Sequence, residues 1–418
     1  MRTSCPICKS RSHKILKTMR FAIPEYFHLP NHYDVVVCAD CGFCFAATEA
    51  AMEDYEHYYE VCNFYSGVPE ESEGKLMLDQ KLAGLVEKVV SPEDSLLDIG
   101  FGAGNLLRLL KQKGFHNIFG LDPSEDSVAR IREEGITAYL GSVFDEPDGS
   151  LRRRFDCVLL IAVLEHLLYP ESSVRHISDY LKEGGKLIIS VPNYADLFDD
   201  CSLIANHFNQ EHINYFSPVS LDNLLNANGF YKMENSDANV GDMGTEVLAV
   251  YCYTSNKRSF ERVKDDVCHK SIAEFFKRND NLEKAIDEEI LSSNLYASSL
   301  CTRGGGVQCE NVSLLKTHAS EHEYKRPVYI WGTGAYTMWL LTNTLVGKLN
   351  IKAFIDNNPT RVGKELDGKR IISPDEIEPD IPIIVCVMKC PEKVADQIER
   401  SGITNPYYLL RGTHREGV

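Results

Sequence analysis

"LLDIGFGAGNLLRLL", Leu96 to Leu110, is an apolar run that ends in an acid, passes through three glycines at alternate positions and continues as a periodic apolar helix. Three ligands compete for such a loop: a triphosphate, a dinucleotide pyrophosphate, or a molecule with no phosphate. A P-loop needs Lys followed by Ser or Thr after its last glycine, and "GFGAGNLL" has neither, so triphosphate is excluded. The dinucleotide fingerprint needs a third glycine three positions after the second, and that position is Asn105. What remains is Gly100, Gly102 and Gly104 with Asp98 just before them and a second acid, Asp122, at the end of the next strand. Two acids flanking a bare loop suit a cationic amino-acid group and a ribose diol, and suit a pyrophosphate badly because like charges would meet.

Outward from the loop, strands are expected at Ser95–Ile99, Ile118–Leu121, Phe155–Ile161 and Lys186–Val191. Helices are expected over Leu76–Val90, Leu106–Lys113 and Ser124–Glu134. Alternation of this kind implies a mostly parallel sheet covered on both faces. After about Tyr253 the chain turns charged and poor in strands and reads as long helices. A stretch of loop composition follows, and then "VYIWGTGAYTMWLL", "IKAFIDNN" and "IPIIVCV" open a second α/β unit.

With 418 residues the chain exceeds what one hydrophobic core supports, and several domains are expected. Its longest apolar runs are far too short to span a membrane. The opening "MRTSCPICKS" has no secretion or transit pattern, so a cytoplasmic location is expected. A formal charge of −17 repels polyanions and argues against nucleic acid as a partner. In such a chain the 14 cysteines read as metal ligands or core residues rather than disulfides. Cys5 and Cys8, then Cys38 and Cys41, form two CxxC knuckles, and four thiolates from two such turns make the closed tetrahedral shell of a structural zinc site. Cys44 and His13 are spare candidates for that shell. This segment carries too little core of its own to fold unaided, so the metal is expected to staple it and do no chemistry.

"LLDIGFGAG" closely resembles the glycine loop of class I S-adenosylmethionine (SAM)-dependent methyltransferases. Carried over, the resemblance implies that Gly100, Gly102 and Gly104 let backbone approach the methionine part, with Asp98 beside them, and that Asp122, followed by Pro123, accepts from the ribose hydroxyls. "GSVFDE" falls where such folds cover the adenine, which suggests Val143 and Phe144. "DCVLLIAVLEHL" matches the fourth strand and places Ile161 and Ala162 near the cofactor, with Glu165 and His166 at the strand end.

Downstream, "HFNQEHINYFSPVSLDNLL" packs Glu211, His212 and Tyr215 before a helix that Ser217 or Ser220 could cap. A His beside a Glu can serve as a general base. With "EHINYFS", the amino-terminal cysteines and "WGTGAYTMWLL…FIDNNPTRVGKELDGKRIISPDEI", nearly the whole chain resembles the sugar C-methyltransferases that act on nucleotide-linked keto-hexoses. The architecture implied is a zinc-ribbon-like domain at 1–68, a class I methyltransferase core at 69–254, and a helical connector with a smaller Rossmann-like substrate domain at 255–418.

The resemblance implies enolate alkylation. His212 removes the hydrogen beside the ketone, Glu211 holds it in its useful tautomer, and Tyr65 (in "NFYSGVP") or His166 steadies the enolate oxygen. Asn209 stands where C-methylating members carry a tyrosine; it can donate to an oxyanion but cannot act as an acid. In the family the last domain closes over the nucleotide sugar. Here its loop has Thr337 where a third glycine would be, so no dinucleotide is expected on it, and Arg361, Lys364 and Arg370 are candidates to meet a diphosphate. The alternatives are an O- or N-methyltransferase on a related sugar, and a zinc-ribbon methyltransferase acting on RNA or protein.

Overall fold

The computed structural model describes residues 2–62, 73–145, 147, 149–198, 203–233, 246–256, 258–292, 326–388 and 391–410. The chain divides into two compact units. The first comprises Met1–Thr18, Tyr33–Cys201 and Gln210–Phe275, and the second Met19–His32, Ser202–Asn209 and Phe276–Val418.

The first unit contains a small sheet and a large one. Strands β1 (His13–Arg20), β2 (His32–Cys38) and β3 (Cys44–Ala47) come from the cysteine-bearing segment. The large sheet takes β4 (Leu96–Ile99), β5 (Ile118–Asp122), β6 (Thr137–Leu140), β7 (Phe155–Ile161) and β8 (Leu181–Pro192). The short strand β9 (Asn214–Tyr215) joins the small sheet as its fourth member, and β10 (Phe230–Lys232) and β11 (Glu246–Tyr253) complete the large one. The large sheet runs β10-β11-β8-β7-β4-β5-β6, with β4 through β8 parallel to their neighbours and β11 antiparallel to β8. Its order reverses between β4 and β7, the switch point at which open α/β sheets bind ligands.

The glycine stretch becomes β4, a turn and the helix Asn105–Gln112, whose Leu106, Leu107 and Leu110 are buried. The helix Glu125–Glu133 starts where Ser124 accepts a hydrogen bond from Ser127 N; acids fill its first turn and arginines its last, matching the helix dipole. Strand β8 is longer than the expected Lys186–Val191 because it begins at Leu181, ahead of the Gly184–Gly185 pair. One face of the sheet packs on the helices Glu73–Val89, Asn105–Gln112 and Glu125–Glu133. On the other face, Cys5, Ile7, Val36, Phe43 and Phe45 share a single core with β7, β8 and the helices Pro170–Tyr180 and Pro218–Ala227. The cysteine-bearing segment thus borrows the core it lacks.

The second unit is built on β12 (Val328–Trp331), β13 (Ile351–Ile355), β14 (Glu365–Leu366), β15 (Lys369–Ile372), β16 (Ile383–Val385) and β17 (Tyr407–Leu409), in the order β14-β15-β13-β12-β16-β17. All neighbours are parallel except the β14–β15 hairpin. The charged stretch after Tyr253, expected as long helices, contains among its described residues one helix of 25 residues, Cys268–Ser292. No helix among the described residues is long and apolar enough to cross a membrane.

Candidate active site

Gly100, Gly102 and Gly104 all take positive φ, at 74°, 55° and 80°, a region open to glycine at little cost. At Gly100 a Cβ would lie 2.6 Å from Val163 Cγ2 on the loop after β7, so the two strand ends at the switch point approach too closely for a side chain. Asp122, at the end of β5, turns its carboxylate back onto the glycine loop: Oδ2 accepts from Gly102 N at 2.8 Å and Oδ1 from Ser124 N at 2.9 Å. A carboxylate has about four acceptor positions, so after these two bonds two remain for a diol. Pro123 beside it is exposed, Val143 is buried, Phe144 is half-buried, and His176 Nδ1 lies 3.1 Å from the Val143 carbonyl. Ile161 is half-buried at the end of β7. Ala162, exposed next to it, holds the left-handed φ of 53° that a non-glycine residue adopts only under local constraint.

Asp98 is buried at the end of β4, and desolvation together with the nearby Asp122 and Asp79 pushes its carboxyl up to about 8. Burial also raises Asp122. A folded value above the ordinary one means that folding favours the protonated acid. This contribution to stability is complete below about pH 4 and is lost as pH rises toward 8. A cationic ligand beside Asp98 reverses the preference and expels the proton. Calorimetry of SAM binding near pH 7, in buffers of different ionisation enthalpy, is therefore expected to show a fraction of a proton released per ligand, and Asp98→Asn to abolish the release.

At the end of β7 the chain turns through a short 3-10 helix, Leu164–His166, over which the Glu211–Tyr215 segment is laid. Asn214 fastens the two, its amide donating to the carbonyls of Leu164, Glu165 and Leu167, while Ile213 N donates to Glu165 O at 3.0 Å. The His166 and His212 rings meet edge to face with centroids 4.9 Å apart. Glu165 is 1% exposed, and its Oε1 lies 3.7 Å from His166 Nε2. Desolvation pushes Glu165 up to about 8 and His166 down to about 4, so around neutral pH His166 is a neutral imidazole.

Two tyrosines not singled out in the sequence complete this cluster. Tyr58 donates to Glu211 Oε1 at 2.6 Å, and the fully buried Tyr194 places its hydroxyl 3.2 Å from His212 Nδ1. His212 thus has a phenol at its Nδ1. Asn209 falls in the second unit, where its amide donates to Ala205 O at 3.3 Å. Tyr65 lies outside the described residues. Ser217 caps the helix Pro218–Ala227 through a capping box with Ser220.

The sulfurs of Cys5, Cys8, Cys38 and Cys41 lie within 4.8 Å of one another, with Cys5 to Cys41 at 3.5 Å and Cys8 to Cys38 at 3.4 Å. Ligands about 2.3 Å from a tetrahedral zinc stand roughly 3.8 Å apart, so these four fit the ion. The two knuckles match: the residue after each pair, Lys9 and Gly42, takes a left-handed φ of 65° and 77°. Cys44 and His13 stand outside this group.

In the second unit the Asp356 carboxylate is taken up by Thr333, whose backbone N and hydroxyl both donate to Oδ2, and by Arg361 at 3.5 Å. Lys364 lies over the Tyr26 ring at 4.5 Å, and Arg370 pairs with Glu376 at 3.0 Å.

Residues 74–235 match the family described as a methyltransferase domain, and residues 324–406 the family described as C2185-like, N-terminal. With the strand order and the Asp122-braced glycine loop, this makes the large sheet and its helices a class I SAM-dependent methyltransferase domain. More particularly, the chain is 28% identical over 166 residues to an uncharacterized methyltransferase of Staphylococcus carnosus, which covers 38% of this chain and 74% of that protein. It is 31% identical over 103 residues to a ubiquinone biosynthesis O-methyltransferase of Bradyrhizobium diazoefficiens, covering 23% of this chain but only 40% of that relative. The 1,6-didemethyltoxoflavin-N1-methyltransferase of Burkholderia thailandensis, solved with 1,6-didemethyltoxoflavin and S-adenosylhomocysteine, is 18% identical at a TM-score of 0.38, over 52% of this chain and 98% of that one.

Proposed function

We propose that the protein transfers the methyl group of SAM to the carbon beside the ketone of a nucleotide-linked keto-deoxysugar, in the biosynthesis of a branched sugar. The observation that carries this reading is the cluster of Glu165, His166, Glu211 and His212, braced by Tyr58 and Tyr194, in the same unit as the SAM loop and at the end of β7, one of the two switch-point strands. Carbon alkylation needs a group that takes a proton and a donor that steadies the enolate oxygen, and two imidazoles with two carboxyl groups beside them offer both kinds of group. Bound SAM supplies an electrophilic methyl on a positive sulfur; the side chains acidify and orient the acceptor.

The four amino-terminal cysteines hold a structural zinc in this reading, with no open position for chemistry. The second unit is read as Rossmann-like, its parallel strands following the chain order 3-2-1-4-5. Engagement of Asp356 by Thr333 and Arg361 speaks against a dinucleotide ribose there. The reading places the enzyme in the cytoplasm with a small-molecule substrate and no nucleic-acid or membrane partner.

Incubation of a nucleotide-linked 4-keto-deoxysugar with the protein in deuterated water, without SAM, tests the carbon chemistry. Deuterium is expected to enter at the carbon beside the ketone, and His212→Asn to slow the exchange about 100-fold or more. Methylated product without any exchange in the wild-type protein would favour O- or N-methylation instead.

A further inference from the structure

One donor atom from each of Glu165, His166 and His212 lies within 4.8 Å of the other two, all in the first unit. Two of these side chains carry buried polar atoms that lack a hydrogen-bond partner among the described residues: Glu165 Oε2 and His166 Nδ1. Glu165 is 1% exposed, and a buried carboxylate oxygen with nothing to pair with is costly and rare. The remaining ring nitrogens are held as second shells hold metal-binding histidines. Tyr194 lies at His212 Nδ1, and His166, whose orphaned atom is Nδ1, bonds the Glu211 backbone through its other nitrogen.

We propose that Glu165, His166 and His212 form a second metal site, separate from the four cysteines, that binds one divalent transition-metal cation. Two imidazoles and a carboxylate suit zinc, manganese, cobalt or ferrous iron, and suit calcium or magnesium poorly. Donors about 2.1 Å from such an ion stand roughly 3 to 3.5 Å apart, so side-chain shifts on the order of 1 Å close the triad. Three protein ligands leave coordination positions open, and the partly exposed His166 and His212 give a path to them.

The site stands on this geometry; only its use rests on the sugar reading. There, the cation takes the oxygen of the ketone, where negative charge collects when the neighbouring C–H bond breaks. The bond's electron pair would move into the enolate and the proton would pass to the Glu211 carboxylate in place of His212, which as a ligand would still be needed for the exchange without itself taking the proton.

The test is titration of full-length protein that carries one zinc per chain, enough for the cysteines alone and with excess zinc removed, with Mn2+ followed by electron paramagnetic resonance, and with Co2+ followed by visible absorption. Manganese avoids thiolates, and cobalt at nitrogen and oxygen lacks the intense sulfur charge-transfer bands of a cysteine site. One Mn2+ or Co2+ per chain is expected. Glu165→Gln and His166→Asn should each weaken it at least 10-fold while leaving zinc content and the near- and far-ultraviolet circular dichroism spectra unchanged; retained spectra show that the variants are folded. Failure of both ions to bind saturably up to millimolar concentration, or equal binding in both variants, overturns the proposal. Because no sugar enters the titration, its result is independent of the deuterium experiment.

Discussion

An Asp122→Ala variant is expected to bind SAM at least about 100-fold more weakly than the wild type, measured by calorimetry, while the ligand-free protein remains folded. The magnitude comes from counting bonds. In the role proposed for it the carboxylate would accept from two ribose hydroxyls, and each bond to a charged acceptor contributes roughly 1.5 to 3 kcal/mol. The same carboxylate holds Gly102 N and Ser124 N, so its loss also loosens the turn that shapes the methionine end of the site. Asp122→Asn separates the two roles. The amide keeps one acceptor oxygen for the loop but brings donors where the diol needs acceptors, so it should recover most of the thermal stability and little of the affinity. A variant that binds SAM within a few-fold of the wild type would remove Asp122 from the ribose. It would also undercut the inference that paired acids, rather than phosphate-binding backbone, define this loop.

What the sequence discloses and what it hides follow one physical division. The run from Leu96 to Leu110 is legible because strand, turn and helix signals are local: buried leucines, three glycines forced to positive φ, and a 3.6-residue apolar period. Glu165 and His166 are legible as a strand end for the same reason. Their surroundings are not, because burial of Glu165 and the edge-to-face meeting of His166 with His212 depend on residues 46 positions apart in the chain. Tyr58 and Tyr194 escape notice because nothing in "YEHYYEV" or "VPNYADL" distinguishes a phenol aimed at Glu211 or His212 from an ordinary packed aromatic. The interleaving of the two units is equally invisible. Met19–His32 and Ser202–Asn209 leave the first unit by long-range contacts, and pattern rules see only neighbours.

Removing the zinc proposed for the four amino-terminal cysteines should have the other large effect, and its reach extends to the proposed catalytic segment Glu211–Tyr215. Strand β3 pairs with β9, Cys44 opposite Tyr215 and Phe45 opposite Asn214, and Ala46 N donates to Ile213 O at 2.9 Å. Arg2 adds its guanidinium to Ile213 O at 2.9 Å and to Asn214 Oδ1 at 2.5 Å. The residues immediately after Glu211 and His212 are therefore fastened from one side by the cysteine-bearing sheet and from the other by the Leu164–His166 turn. Structural zinc contributes on the order of 10 kcal/mol to folding of the segment that binds it, and a change of several kcal/mol in a unit of this size lowers its unfolding midpoint by about 10 °C or more. Cys38→Ser, or wild-type protein stripped by a strong chelator, is expected to show that fall together with loss of one zinc by mass spectrometry. Among the described residues the Asp122 carboxylate bonds only Gly102 N and Ser124 N and no residue of the cysteine-bearing sheet, so SAM affinity should change only a few-fold while the His212-dependent exchange disappears. Retention of exchange by zinc-free protein would mean that the Glu211–Tyr215 segment keeps its place without the sheet, and the cysteines would then have no part in holding the active site.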